Sequence, residues 1–362
     1  MISNAKNSLV FMPLLVVLFA CSGPRSTLNE IVPQDSKVVQ LSEGMDFAFL
    51  EGPCWDGENT LYFSDIPNNR IYRYTLEGAF SVFRENSNGA NGLMFDRAGR
   101  LVACEGKAGR VVALDEFGRV VEVLAAEYRG KPFNSPNDLV IDSRGGIYFT
   151  DPRFGDESDM PQDKQAVYYR QPDGRIIRLI DDMIKPNGII LSPDEKLLYV
   201  VDTYDKFIRA YRVLQDGFLV DQRIFAELKL KEGAPDNRSG ADGLAMDVNG
   251  DLFVTTSLGV QIYDANGNFV GIIRVPETPA NCTFGGADMK TLFITARKNL
   301  YMIKLKVPGV LFPIEKNETE KTDSGLTNEK VIDLRSALSV RISTPSCRRF
   351  AHGSRHFWHF NV

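Results

Sequence analysis

Six internal repeats constrain this chain more than any other feature. Segments begin Glu51-Gly-Pro-Cys-Trp-Asp, Asn91-Gly-Leu-Met-Phe-Asp, Asn137-Asp-Leu-Val-Ile-Asp, Asn187-Gly-Ile-Ile-Leu-Ser, Asp242-Gly-Leu-Ala-Met-Asp and Asn281-Cys-Thr-Phe-Gly-Gly. Ten or eleven residues later each enters a β-rich run: Leu61-Tyr-Phe-Ser-Asp, Leu101-Val-Ala-Cys-Glu, Ile147-Tyr-Phe-Thr-Asp, Leu198-Tyr-Val-Val-Asp, Leu252-Phe-Val-Thr-Thr and Leu292-Phe-Ile-Thr-Ala. The repeat starts are 40, 46, 50, 55 and 39 residues apart. Turn residues such as Asp96-Arg-Ala-Gly separate the paired runs. Short strands at this spacing, without sustained 3.6-residue periodicity, predict an all-β six-bladed β-propeller and exclude a helical solenoid. Lys37 to Leu50 is placed to lend a strand to the last blade and close the ring. The polar stretch Arg153 to Gln165 reads as an inserted loop over one face.

The first residue of each repeat is Glu51, Asn91, Asn137, Asn187, Asp242 or Asn281, never a hydrophobe. Equivalent strand starts in a propeller lie at equivalent radius and height, so these six form one ring of oxygen-bearing side chains around the channel. Asn-Gly and Asp-Gly are also plain turn signals, which accounts for Asn91, Asn187 and Asp242 one at a time. That reading leaves Glu51 unexplained in the same register, and also the prolines before Asn137 and Asn187.

Composition narrows the chemistry of such a ring. The three histidines, His352, His356 and His359, all lie within the last eleven residues of a 362-residue chain. A Ser-His-Asp triad, a Cys-His pair, a His-ligated zinc and a His general base are thereby excluded from the main body. A net charge of −5 argues against nucleic acid as a partner. With two carboxylates and several amides, the ring suits an oxygen-ligated divalent cation. Ca²⁺, which takes about 6–8 oxygens in flexible geometry, fits better than Mg²⁺ or Zn²⁺.

The motifs Glu51-Gly-Pro-Cys-Trp, Leu61-Tyr-Phe-Ser-Asp-Ile-Pro-Asn-Asn-Arg, Ser135-Pro-Asn-Asp-Leu, Tyr148-Phe-Thr-Asp-Pro, Pro186-Asn-Gly-Ile, Asp242-Gly-Leu and Pro279-Ala-Asn-Cys-Thr-Phe-Gly-Gly resemble the gluconolactonase/regucalcin (senescence-marker-protein) family. The resemblance runs from about Val38 to Lys306. It implies a six-bladed propeller with one catalytic divalent ion in the central channel, hydrolysing lactones of sugar acids. Carried over position by position, the metal ligands would be Glu51, Asn137, Asn187 and Asp242. Asn91 and Asn281 would line the channel, and Asp138 would orient a ligand or touch substrate. The implied mechanism has water attacking a metal-polarised carbonyl, with Asp242 as the candidate base and Glu51 second. Many relatives carry a His where this chain has Glu105-Gly-Lys-Ala-Gly, so substrate contacts on that side depart from the family pattern. Two alternatives share the site: an organophosphate or aryl-ester hydrolase, and a lipoprotein that binds a sugar acid or calcium without turnover.

The ends differ from the repeats. Lys6 and the apolar run Leu9 to Phe19 read as an export signal over residues 1–20, too short to span a bilayer. Leu18-Phe19-Ala20-Cys21 looks like a bacterial lipobox, with Cys21 the acylated residue, although Phe19 stands where a small residue is usual. A lipid anchor there would be the chain's one membrane contact, placing it in the periplasm or on the outer membrane of a bacterium. The remaining Cys54, Cys104, Cys282 and Cys347 are scattered and read as free thiols. The expected organisation is a linker over 21–36, the propeller over 37–307, and a polar then basic extension over 308–362 outside the fold.

Overall fold

Five repeats each build a four-stranded antiparallel blade and the sixth supplies three strands of the last one, the first run of every repeat being the innermost strand. The inner strands are Leu50–Trp55, Ala90–Phe95, Leu139–Ile141, Pro186–Leu191, Leu244–Met246 and Pro279–Gly285. The second strands are Thr60–Asp65, Leu101–Glu105, Ile147–Asp151, Leu197–Asp202, Leu252–Thr256 and Thr291–Ala296. The computed structural model describes residues 26–313, and within them the six blades surround a central channel. The N-terminal strand Val39–Gln40 closes the ring by pairing with Asn299–Lys304, Val39 opposite Met302.

The second strands read as near-continuous apolar runs because a neighbouring blade covers each of their faces. Leu61, Phe63, Tyr148, Phe149, Leu198, Val200, Leu252 and Phe253 are all buried. Aromatic pairs in the blades add to this core: Phe149 stacks on Tyr168 at 5.5 Å and Tyr148 on Tyr169 at 4.2 Å between ring centroids. Hydroxyls at one register tie blades together at the centre. Ser64 Oγ donates to the Asn91 carbonyl at 2.9 Å and Thr255 Oγ1 to the Ala280 carbonyl at 2.7 Å.

Both ends of the propeller reach further than the sequence suggested. Within the stretch read as linker, Leu28–Ile31 forms a short helix, and Ile31 is buried against the last two blades. The Lys306 N–H donates to the Ile31 carbonyl at 2.8 Å. Residues 308–313, expected outside the fold, form a strap beneath the channel. Val248 N–H donates to the Pro308 carbonyl, Gly309 N–H to Met289 and Val310 N–H to Met246, at 2.8 to 3.0 Å. Phe312 is buried with them. The physical cause is the apolar hole that six converging inner strands leave, which Val310, Leu311 and Phe312 cover. Cys54, Cys104 and Cys282 are buried free thiols. Cys21, Cys347, the export signal and the rest of the C-terminal extension lie outside the described residues.

Candidate active site

The structure brings all six ring residues to one end of the inner strands. Glu51, Asn91 and Asn187 are each the second residue of their strand, and Asn281 is the third. Asn137 and Asp242 lie two residues ahead of theirs, held by N–H bonds to the Thr150 and Thr255 carbonyls at 2.8 and 3.0 Å. The glycines after them are not turn residues. A Cβ on Gly52 would sit 1.9 Å from the Asn91 carbonyl oxygen, and one on Gly188 would sit 2.0 Å from that of Asp242. Glycine is there because the next blade's main chain passes where a side chain would stand. Blade three has Asp138 at this position. Its Oδ1 accepts from the Leu139 N–H at 2.9 Å, and the residue borders the channel.

A second set of residues sets the approach to the ring. Asp65, Asp151 and Asp202 each end a second strand and are buried. Asp65 accepts the Ala48 and Phe49 N–H groups at 3.0 and 3.1 Å. Asp151 accepts those of Asn134 and Ser135 at 2.9 and 2.7 Å. Asp202 accepts those of Ile184 and Lys185 at 2.6 and 3.1 Å. In each case the clamped pair lies just ahead of the ring residue, Glu51, Asn137 or Asn187. The sequence signal was visible as the Asp that ends three of the six β-rich runs, but its role needed the pairing of strands.

The electrostatics of the ring are strained in one direction. Burial is the largest cause that raises Glu51, with the Asp138 charge adding to it, while the Gly52 N–H and the Asn281 amide oppose it. Asp242 is pushed up by burial and then by the charges of Glu51 and Asp138, against an amide bond from Asn187 and the Arg297 charge. Asp138 rises to about 7, again through burial. Two of these carboxylates face the asparagine of the preceding blade, whose amide lowers their pKa: Asn281 acts on Glu51, and Asn187 on Asp242. Asn281 Oδ1 is already used by the Cys282 N–H at 2.8 Å, consistent with lining rather than ligation.

Three neighbouring carboxylates, Glu51 buried and Asp138 and Asp242 half-buried, have little opposing charge and form a site that a cation would relieve. Among the described residues no group of three or more His, Cys, Asp or Glu gathers as a metal cage. The donors that fit a cation here are of the other kind, Glu51 and Asp242 with the amide oxygens of Asn137 and Asn187, a hard all-oxygen set. Beneath them lies a cavity of about 60 Å³ lined by inner-strand residues of all six blades and floored by Val310, Leu311 and Phe312.

Residues 49–298 match the model of the SMP-30/Gluconolactonase/LRE-like region. The chain belongs to that family. It is 32% identical over 288 residues to a gluconolactonase of Zymomonas mobilis, covering 73% of this chain and 80% of that protein. It is 29% identical to a pentonolactonase of Haloferax volcanii, covering 68% of this chain and 80% of that protein. The solved gluconolactonase of Xanthomonas campestris superposes with a TM-score of 0.69 at 34% identity, covering 79% of this chain and 96% of the other.

On this SMP-30/gluconolactonase scaffold the inserted loop Arg153 to Gln165 joins the second and third strands of blade three, at the ring end of the propeller. Lys185, buried two residues before Asn187, pins it. Its Nζ donates to the Arg153 carbonyl and the Glu157 carboxylate, and to Gln165 Oε1 at 3.1 Å. The ammonium also lies over the Phe154 and Tyr204 rings, at 5.7 and 5.9 Å. Nothing in the sequence singled out Lys185 or Arg297, because both act across blades.

Proposed function

We infer that the protein hydrolyses lactones of sugar acids, using a divalent cation held by Glu51, Asn137, Asn187 and Asp242. The observation that carries this reading is the placement of buried Glu51 and half-buried Asp242 together at the mouth of a channel closed from beneath. The lactonase names of its relatives support the substrate class. When bound, the cation supplies the positive charge that polarises a lactone carbonyl and balances the oxygen charge that develops on it. The rest is done by the chain. Asp242 accepts the proton of the attacking water, and the Asn187 amide holds its carboxylate in place for that transfer. A carboxylate beside a cation is a weak base, so its contribution depends on position, which an activated ester such as a lactone tolerates. Glu51, fixed by the Gly52 N–H at 3.1 Å, supplies the second charge that balances a divalent ion. The strap beneath the channel leaves the ring end as the route for water and substrate. All-oxygen donors favour Ca²⁺ over Zn²⁺, and Ca²⁺ is preferred to Mg²⁺ because it accepts the flexible geometry of ligands drawn from four blades.

The test is a panel of sugar-acid lactones assayed for acid release before and after chelation. Ring opening that disappears with chelator and returns with Ca²⁺ is the expected result. Turnover that persists in chelator would refute the metal, and lactone binding without turnover would make the protein a receptor. The same proposal anchors the enzyme outside the cytoplasm through acylated Cys21. Fatty-acid labelling of the wild type and its loss in Cys21→Ser checks that step.

A further inference from the structure

Asn187 can hold a cation only through Oδ1, yet the two ends of an amide have nearly the same shape. Thr203 supplies the selection. It follows the second strand of blade four, and its main chain is tied on both sides. Its N–H donates to the Lys185 carbonyl at 3.0 Å, and its carbonyl accepts the Gly240 N–H at 3.2 Å. Its hydroxyl carries one proton, which goes to the Ala241 carbonyl at 2.9 Å. Toward Asn187 the hydroxyl can only accept, and it does so from Nδ2 at 2.9 Å. The amide nitrogen is thereby engaged, and Oδ1 has no donor among the described residues. A flipped amide would turn Oδ1 toward a hydroxyl with no proton left and toward a carboxylate. The bond to Thr203 would become a repulsion, and the Asp242 charge would add to it.

We propose that Thr203 is a positioning residue for the channel cation: it fixes the Asn187 amide with Oδ1 free to ligate, and it ties that ligand to the main chain immediately before Asp242. The proposal rests on the reading of Asn187 as a ligand. Thr203 thereby couples ligands on two blades whose spacing would otherwise depend on blade packing alone. Asn281 shows the contrast, since its oxygen is occupied by the Cys282 N–H.

Chelator-treated wild type, Thr203→Val, Thr203→Ser and Asn187→Ala are titrated with Ca²⁺ by calorimetry, and the thermal midpoint of each is measured in chelator. Thr203→Val should bind Ca²⁺ about 10- to 100-fold more weakly, the usual consequence of removing an orienting partner from a metal ligand. Thr203→Ser keeps the hydroxyl and should bind close to wild type, with both midpoints in chelator little moved. Wild-type affinity in Thr203→Val, with Asn187→Ala impaired, overturns the role of Thr203. Equal weakening in Thr203→Ser also overturns it, because the methyl group would then be what matters. Wild-type affinity in Asn187→Ala overturns the ligand assignment beneath it. If Thr203→Val does not fold, Thr203→Ala is judged by the same comparison.

Discussion

Gly188 and Asp242 touch across two blades: the α-carbon of one faces the carbonyl oxygen of the other with no room for a side chain between them, a Cβ lying 2.0 Å from that oxygen. The contact is with main chain and cannot be relieved by a rotamer change. Gly188→Ala should therefore separate blades four and five, costing about 3 kcal/mol, the upper end for overpacking. It should also weaken Ca²⁺ binding, since Asn187 and Asp242 move apart. Denaturant unfolding and calorimetry on the same variant check both effects. A variant as stable as wild type would mean the blades have slack that the geometry does not show.

Asp242→Asn removes the proposed base while keeping shape and hydrogen bonds. Lactone hydrolysis should fall by about 10²- to 10⁴-fold, with the thermal midpoint in chelator unchanged or raised, because a charge repelled by Glu51 and Asp138 has gone. Turnover at the wild-type rate would remove Asp242 from the chemistry.

The chain's two C-terminal stretches should separate cleanly. Ending it at Lys316 removes every histidine and keeps the strap, so hydrolysis should persist. Ending it at Val307 removes Pro308 to Phe312, the floor of the cavity beside Cys54 and Cys282. Both thiols are buried, and in the shorter chain they should react with a small thiol reagent under native conditions while remaining protected in the longer one. Equal protection in the two chains would show that something other than the strap closes the channel.

Beneath blade five the stability should depend on pH. Asp96 pairs with Arg100 at 2.7 Å in blade two, but the equivalent pair in blade five is Asp247 and Asp251. Both are buried, and the Oδ2 atom of each has no hydrogen-bond partner. Burial and then the Asp251 charge push Asp247 up to about 7, and burial raises Asp251 as well. The folded state thus holds a proton that the unfolded state, near pH 4, has released. Stability from this pair is full below about pH 4 and falls as pH rises through about 7. Asp251→Asn should flatten that slope and add about 1 kcal/mol at pH 8. Midpoints measured from pH 4 to 8 for both proteins check it, and parallel curves would contradict the assignment.

Much of this protein was determined by its sequence. Six repeats of this length, each with short apolar runs and no helical periodicity, pointed to a six-bladed propeller, in which neighbouring blades bury both faces of every second strand. The shared register of Glu51, Asn91, Asn137, Asn187, Asp242 and Asn281 placed them on one ring, since strand starts in equivalent blades occupy equivalent positions. Lys37 to Leu50 was legible as the closing segment for the same reason. What the glycines after those residues do was not legible. Asn-Gly reads as a turn in one dimension, and only the passage of the neighbouring blade reveals it as a close approach. The clamps made by Asp65, Asp151 and Asp202, the anchoring of the inserted loop by Lys185, and the orientation of Asn187 by Thr203 all join residues on different strands. So does the strap, whose Val310 and Phe312 look like a chain end until the apolar hole they cover has formed. Local pattern chose the fold and the ring. The tertiary structure decided which oxygens are free to act, because that depends on where every neighbouring proton goes.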